Sequence, residues 1–265
     1  MARPGPHGRS QGRRLPALTP ITATSNATTI GHLLGGRVHY EQPAEGYRSG
    51  IEPILLAAAI PAQSGDNVLE AGTGAGAALL CLAARVAGLH GVGVERDPAL
   101  AAIATRNAAA NGRTDLQFIV ADIAALPELR RFDHAMANPP YHASEGTASP
   151  QAAREAAKRG PPGLIAIWAA ALAKHLRPRG TLTFVLPAAI LPAGMQAFTD
   201  AGCTPSVLLP LWPKSGRPAK LVLLQGIRGG RGPFRVLPGL ILHHDRGAYT
   251  PQAEAILRHG RGLCL

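Results

Sequence analysis

Short apolar runs alternate with longer alanine- and leucine-rich segments along most of the chain from residue 66 onwards. The short runs have the length and composition of buried strands, whereas the longer segments have those of helices. Strands are predicted at 67–71, 91–95, 116–122, 132–137 and 180–187, and helices at 76–87, 98–112, within 162–176 and at 193–202. This alternation predicts an α/β fold with a mostly parallel central sheet and helices on both faces.

The C-terminal part of the chain has a different pattern. Two apolar runs, 206–212 and 220–227, have no helical segment between them and are joined by the turn-forming sequence PKSGRP. They predict an antiparallel last strand pair, which brings the sheet to seven strands. An amphipathic helix is also predicted within 46–60, and another where Thr250 can cap a helix that Pro251 opens.

The beginning of the chain lacks any apolar periodicity. Residues 1–30 are rich in Pro, Gly, Ser, Thr and Arg, a composition that buries too little apolar surface to fold. We therefore predict a disordered basic tail over 1–30 and a single domain over 31–265. The longest apolar run, Leu164–Ala173, is too short to span a bilayer of about 30 Å, so no membrane segment is predicted.

The three cysteines are far apart in the sequence and form no CxxC pair. This spacing suggests neither a zinc site nor a disulfide framework, so we predict no metal and a reducing compartment, the cytoplasm.

Charge is distributed unevenly along the chain. Residues 1–30 carry four arginines and no acidic side chain, and residues 205–265 carry nine basic side chains against two acidic ones. The segment between them is neutral, although the net charge of the whole chain is +11. Basic ends on a neutral body favour a polyanionic partner. A general preference for arginine, with 23 Arg against four Lys, is the alternative explanation.

A glycine-rich turn follows the first predicted strand of the sheet, in the sequence VLEAGTGAG at 68–76. Gly72 and Gly74 allow a tight turn and the close approach of a ligand to the backbone. By itself the turn fits two classes of cofactor equally well. It matches a relaxed dinucleotide fingerprint, with Glu95 as the ribose-binding acid, and it also matches a nucleoside cofactor.

Three features favour S-adenosylmethionine over a dinucleotide. The carboxylate of Glu70 before the turn would repel a pyrophosphate but suits a ligand with an ammonium and a sulfonium group. Asp122 ends the third predicted strand, where its oxygens can accept hydrogen bonds from an adenine amino group. The sequence NPPY at 138–141 follows the fourth strand. Two consecutive prolines there hold the backbone stiffly and leave its carbonyls exposed.

These features, in this order, resemble the class I methyltransferases that modify amino nitrogens. The resemblance implies catalytic roles for Asn138, Pro139, Pro140 and Tyr141, and cofactor-binding roles for Glu70, Ala71, Gly72, Gly74, Glu95, Asp122 and Asn138. The Asn138 oxygen and the Pro139 carbonyl would accept hydrogen bonds from the reacting NH₂ group and localise its lone pair. Tyr141 would offer a face for stacking.

The chain is further similar to the bacterial tRNA adenine-N6 methyltransferases that modify an adenosine in the anticodon loop of a valine tRNA. The similarity covers nearly all of residues 33–260, including the sequences FDHAMANPPY, GRPAKLVLLQGIRG and GAYTPQAEAILRHG. It implies a Rossmann-like class I methyltransferase fold and an RNA substrate, namely tRNA. Glu70 stands where the family usually has Asp, and HASEG after Tyr141 departs from its pattern.

Other functions stay open from the sequence. The NPPY motif also occurs in release factor glutamine methyltransferases and fits a guanine-N2 methyltransferase, whereas a nicotinamide oxidoreductase or an inactive RNA-binding relative is a more distant alternative. For an RNA substrate, we expect contacts from the loop at 142–162 and from the turn at 46–50. The candidate side chains are Arg48, Arg154, Lys158 and Arg159. The oligomeric state is left open.

Overall fold

A computed structural model describes residues 1, 27–45, 49–129, 131–140 and 163–265 of the 265-residue chain. Its strands are β1 (Thr28–Leu33), β2 (Val38–Pro43), β3 (Asn67–Ala71), β4 (His90–Glu95), β5 (Leu116–Val120), β6 (Phe132–Ala137), β7 (Leu176–Pro187), β8 (Cys203–Lys214), β9 (Leu221–Arg228), β10 (Arg235–Val236) and β11 (Leu240–His243). Its helices are α1 (Glu52–Ala59), α2 (Ala77–Arg85), α3 (Pro98–Ala110), α4 (Leu164–His175), α5 (Leu191–Asp200) and α6 (Pro251–Leu257).

Within the described residues, nine strands form the central sheet, in the order β10-β8-β9-β7-β6-β3-β4-β5, with β11 also paired to β8. The seven predicted strands, β3 to β9, are all present, and the predicted antiparallel pair is confirmed because β9 runs against both β7 and β8. The predicted count of seven is nevertheless two too low. The additional strands β10 and β11 contain only two and four residues, which is too short for an apolar pattern to predict.

Helices cover both faces of the sheet, as predicted, and each face has its own apolar core. Side chains of β6 alternate between the two cores, as the two-residue period of a strand requires. Met136 packs into the core that includes α1, α2 and α6. Ala135 and Ala137 pack into the core that includes α4 and α5.

Two predicted elements differ from the observed ones. Helix α1 is not amphipathic: every residue from Pro53 to Ala59 is buried, because the helix contacts α2, α6 and β7. Strand β5 ends at Val120, before Asp122. The Asp122 side chain instead caps a short 3₁₀ turn by accepting a hydrogen bond from the Ala124 amide.

An antiparallel hairpin of β1 and β2 precedes the sheet and was not predicted. The hairpin begins at Thr28, so the predicted boundary between the tail and the domain, at residue 30, is wrong by a few residues. Residues 2–26 of the proposed tail lie outside the described residues.

Asn107 of α3 and Asn111, which follows the last residue of α3, help to attach this hairpin to the domain. Asn107 and Asn111 each pair with the backbone of one β2 residue, accepting its N–H and donating to its carbonyl, as a neighbouring strand would.

Within the described part of the chain, no helix has the length and apolarity needed to cross a bilayer. No cluster of three or more metal-ligating side chains occurs among the same residues.

Candidate functional site

The carboxyl ends of β3, β4, β5 and β6 lie at one edge of the sheet because these strands are parallel neighbours. Ala71, the last residue of β3, pairs with Val94 of β4 on one side and with Ala137 of β6 on the other. The chain leaves β3 towards β4 and β5 and then returns to β6 on the opposite side. Ligands of open parallel sheets bind in the crevice at such a reversal of strand order.

The glycine-rich turn after β3 forms one wall of this crevice. Gly72 and Gly74 have φ angles of +63° and +56°, which favour glycine. A Cβ atom on Gly72 would lie 2.5 Å from the indole ring of Trp168, whereas a Cβ on Gly74 would meet no atom within 4 Å. The backbone at Gly74 therefore faces open space, while Gly72 must remain a glycine for Trp168 to pack against the turn.

Glu70 lies at the end of β3 but points into the protein. Its side chain is buried, and the Thr73 hydroxyl donates a hydrogen bond of 2.7 Å to its Oε2. Burial raises the pKa of Glu70 to about 8, and this effect outweighs the opposing hydrogen bond. In this structure the carboxyl group braces the turn from inside, and its predicted contact with a cofactor stays a prediction.

Replacing Glu70 with glutamine is expected to flatten the pH dependence of stability between pH 4.5 and about 8. The folded protein keeps this proton up to about pH 8, whereas the unfolded chain releases it near pH 4.5. The folded state therefore binds more protons in this range, so the wild-type free energy of unfolding falls as the pH rises. Urea denaturation across this range measures the effect, and equal slopes in the two proteins would contradict it.

Glu95 ends β4 beside the glycine-rich turn. Its Oε2 accepts a hydrogen bond of 2.9 Å from the Gly74 amide, and its Oε1 accepts one of 3.0 Å from the Asp97 amide. Each carboxylate oxygen can accept a second hydrogen bond. Glu95 thus holds the turn in position and still has acceptor capacity for the hydroxyl groups of a ligand.

Asp122 and its surroundings form the outer part of the crevice. The side chain is exposed, with Oδ1 accepting a hydrogen bond of 2.8 Å from the Ala124 amide. Val120, which pairs with Glu95 across the strands, is 58% exposed. An exposed apolar side chain near a free carboxylate oxygen suits a planar heterocycle that carries an amino group.

The stiff segment after β6 faces the turn from the other side of the crevice. Asn138 is half-buried, Pro139 is buried and Pro140 is exposed. Because Ala137 pairs with Ala71, the Asn138 and glycine-rich segments leave the sheet side by side. Tyr141 and the predicted RNA contacts Arg48, Arg154, Lys158 and Arg159 lie outside the described residues.

Two residues near the site were not expected from the sequence. The Asn107 side-chain amide donates to the Ala75 carbonyl at 2.9 Å and thereby ties the turn to β2. Asn107 and Asn111 are short polar side chains four residues apart in an alanine-rich segment, a pattern that could have marked them. Trp168 had no comparable signal, because its contact with Gly72 spans almost a hundred residues.

Comparisons with known proteins agree with this geometry. The methyltransferase domain family matches residues 68–163. The tRNA1(Val) (adenine(37)-N6)-methyltransferase of Actinobacillus succinogenes is 36% identical over 160 residues, which are 57% of this chain and 66% of that protein. The release factor glutamine methyltransferase of Cereibacter sphaeroides is 32% identical over 184 residues, 64% of this chain and 65% of that protein. The chain thus spans slightly less than two thirds of these curated relatives.

Two solved structures share the fold. A predicted O-methyltransferase from Agrobacterium tumefaciens is 21% identical, with a TM-score of 0.66 over 80% of this chain and 98% of that one. A methyltransferase from Pyrococcus furiosus is 17% identical, with a TM-score of 0.55 over 73% of this chain and 90% of that one.

The hydrogen-bonding groups of the crevice fit S-adenosylmethionine, the cofactor of class I methyltransferases. Open glycine backbone, the Glu95 carboxylate and the exposed Asp122 carboxylate match an aminoacyl chain, a ribose and an adenine amino group, respectively. The reversal of strand order, the glycine-rich turn and the solved structures together show a Rossmann-like class I methyltransferase fold, and residues 68–163 match a methyltransferase domain, whose cofactor S-adenosylmethionine fits the residues of this crevice.

Proposed function

We propose that this protein transfers a methyl group from S-adenosylmethionine to an exocyclic amino nitrogen, and that its substrate is adenine N6 in tRNA. The pairing of Ala71 with Ala137 carries this proposal, because it places the Asn138 segment directly beside the cofactor turn. A methyl donor held on the turn and an amino group held at Asn138 would meet in the crevice between β3 and β6. Such positioning is a major source of rate acceleration for two bound reactants.

In the proposed mechanism, Asn138 and Pro139 prepare the nitrogen for attack. The lone pair of an aromatic amine or an amide is delocalised and therefore a poor nucleophile. Hydrogen bonds from the NH₂ group to the Asn138 side-chain oxygen and the Pro139 carbonyl would localise it and direct it towards the donor. The two prolines restrict the backbone and so preorganise these acceptors. S-adenosylmethionine would supply an electrophilic methyl group on sulfur. As the new C–N bond forms, the bond between sulfur and the methyl carbon would break, S-adenosylhomocysteine would leave with that electron pair, and the nitrogen would release a proton to water.

The remaining site residues have proposed roles in binding. Backbone groups of Ala71, Gly72 and Gly74 would contact the aminoacyl part of the cofactor, Glu95 would accept hydrogen bonds from the ribose hydroxyls, and Asp122 would accept one from the adenine amino group. Tyr141 would stack on the substrate base. Arg48, Arg154, Lys158 and Arg159 would contact RNA phosphates, which supply affinity with little sequence information. The cytoplasm remains the predicted location.

Asn107→Ala is expected to weaken cofactor binding, whereas Asn111→Ala is not. Both changes leave β2 backbone groups without partners and should lower the free energy of unfolding by roughly 2–4 kcal/mol. Only Asn107 also holds the Ala75 carbonyl of the cofactor turn. Calorimetric titration with S-adenosylhomocysteine should therefore show a several-fold larger Kd for Asn107→Ala alone. Equal affinities of the two variants would contradict the role of Asn107 in positioning the turn.

Methylation of a glutamine side chain is the second candidate function. Release factor glutamine methyltransferases from two bacteria match this chain at 32% and 35% identity over 184 and 136 residues. An amide nitrogen presents the same NH₂ geometry as adenine N6, so Asn138 and Pro139 could bind either group. The positive net charge of residues 205–265 favours RNA, because this segment contains nine basic and only two acidic side chains.

A methyl-transfer assay tests this choice. The protein is incubated with labelled S-adenosylmethionine and, separately, with total small RNA or a cell protein fraction that lacks RNA. The RNA is digested to nucleosides and the protein to peptides before mass analysis. We expect N6-methyladenosine in the RNA sample. If methylglutamine appeared in the protein sample and the RNA stayed unlabelled, the second proposal would replace the first. If the protein bound the cofactor but labelled neither sample, both proposals would be contradicted.

A further inference from the structure

A groove at the C-terminal side of the sheet is not part of the site described above. The turn after β8 and the segment before β11 enclose an open groove of about 560 Å³. The groove is lined by apolar residues, glycine and a basic side chain, including Trp212, Arg217, Pro218, Pro238, Gly239 and Ile241.

This groove opens at the same edge of the sheet as Asn138. Strand β8 runs in the same direction as β6 and β7, because β8 and β7 are both antiparallel to β9 and β7 is parallel to β6. Across these strands Ala137 is level with Leu208, four residues before Trp212. Three strand spacings and about three residues of rise therefore separate Asn138 from Trp212, a distance of roughly 15–20 Å. A single RNA strand can span this distance with a few nucleotides.

The floor of the groove is apolar and held in place. The Trp212 indole donates a hydrogen bond of 3.1 Å to the Pro238 carbonyl. A Cβ atom on Gly239, whose φ is +90°, would lie only 2.4 Å from the indole nitrogen, so the ring packs directly on the glycine backbone. Ile241 lies beside it and is 38% exposed. A preset aromatic and aliphatic surface of this kind suits the stacking of an unpaired base.

The rim of the groove is positively charged. Arg217 is exposed, and among the described residues it takes part in no ion pair. Lys214 extends from the end of β8 and donates a hydrogen bond to the Asp245 carbonyl. The surrounding segment has an excess of seven positive charges over residues 205–265. A second copy of this chain would bring the same charge to the groove and be repelled, whereas a polyanion would be attracted.

We propose that this groove binds a nucleotide of the substrate RNA other than the one that is methylated. Its base packs on Trp212 and Ile241, and its phosphate contacts Arg217. The groove and the crevice at Asn138 then hold two points of one RNA strand along the same edge of the sheet. RNA as the partner rests on the proposed function, whereas the position of the groove does not.

The test compares two charge reversals, Arg217→Glu and Arg231→Glu. Both arginines are exposed and lie in loops of the same C-terminal segment, but Arg231 follows β9 at the opposite edge of the sheet. The Kd of a fluorescently labelled, unmodified valine tRNA transcript is measured by anisotropy over a series of KCl concentrations. Arg217→Glu should raise the Kd about five- to tenfold and reduce the slope of log Kd against log salt by about one. Arg231→Glu should change the Kd less than about twofold.

A third variant separates stacking from charge. Ile241→Ser should raise the Kd about threefold without changing the salt slope, because it removes apolar contact and no charge. Each variant should unfold cooperatively, and S-adenosylhomocysteine should raise its melting temperature by the same amount as that of the wild type, which checks the fold and the cofactor site.

The outcomes distinguish the groove from the proposed function. Equal effects of the two charge reversals would overturn the groove proposal. The proposal would also be overturned if Arg217→Glu left the RNA affinity unchanged but abolished self-association in sedimentation, which would assign the groove to a second copy of the chain. The same holds if this variant left the RNA affinity unchanged but weakened the binding of a protein substrate. A position-dependent loss of RNA affinity would support the groove even if no RNA became methylated, in which case the proposed reaction alone would fail.

Discussion

Asn138→Ala is expected to lower kcat for methyl transfer by a factor of about a hundred to a thousand, the usual cost of removing one preorganised polar group that acts in a transition state. The alanine side chain cannot accept a hydrogen bond from the reacting NH₂ group, so its lone pair stays delocalised. The affinity for S-adenosylhomocysteine should change by less than about threefold, because the groups that would hold the cofactor lie elsewhere: the turn follows β3, Glu95 ends β4 and Asp122 comes after β5. Single-turnover kinetics and calorimetry measure the two effects separately.

Asn138→Gln is a matched control for this prediction. It keeps the amide group but displaces it by one methylene, so it should lose most of the activity as well if geometry is what matters. An Asn138→Gln enzyme with nearly full activity would show that the position of the amide is unimportant. Equal losses of turnover and of cofactor affinity in Asn138→Ala would place Asn138 in the cofactor site and not in catalysis.

Glu95→Ala is expected to have the opposite pattern, with cofactor affinity reduced about 10- to 100-fold and kcat largely restored at saturating cofactor. Hydrogen bonds to a charged group contribute about 1.5–3 kcal/mol, which corresponds to this range. The variant also removes the acceptors for the Gly74 and Asp97 amides, so the turn itself becomes less well held. Calorimetric titration with S-adenosylhomocysteine and kinetics at two cofactor concentrations test this prediction.

Asp97→Ala separates this effect from a general loss of stability. Asp97 caps helix α3 by accepting a hydrogen bond from the Ala99 amide, and it lies only two residues from Glu95. Its replacement should cost about 1 kcal/mol of stability and leave cofactor affinity unchanged. If Asp97→Ala weakened cofactor binding as much as Glu95→Ala, the direct role of the Glu95 carboxylate would be refuted.

Much of the candidate site could be predicted because its residues stand where strands end. Parallel strands bring their carboxyl ends to one edge of a sheet, so Glu70, Glu95, Asp122 and Asn138 had to lie near each other once the alternating pattern had been recognised. The direction of each side chain could not be predicted in the same way. Glu70 and Asp122 occupy equivalent places in the pattern, yet the first is buried against Thr73 and the second is exposed.

The hairpin and its asparagines escaped prediction for a different reason. Strands β1 and β2 lie outside the central sheet, and β2 contributes only two buried apolar side chains, Val38 and Tyr40, to the core of the domain. In addition, Asn107 of α3 and Asn111, which follows the last residue of α3, pair with the backbone of β2. A side chain that replaces a neighbouring strand leaves no periodic signal in the sequence of that strand.

The sequence by itself determined the α/β class, the order of the seven main strands and helices, and the place of the glycine-rich turn and the NPPY segment within that order. These properties depend on local periodicity and turn chemistry, which are written along the chain. Only the tertiary structure decided which carboxylates face the crevice, that Trp168 packs on Gly72, and that Trp212 and Arg217 share the edge of the sheet with Asn138. Those relations depend on packing between residues far apart in the chain, where the orientation of each side chain is set by its neighbours in space.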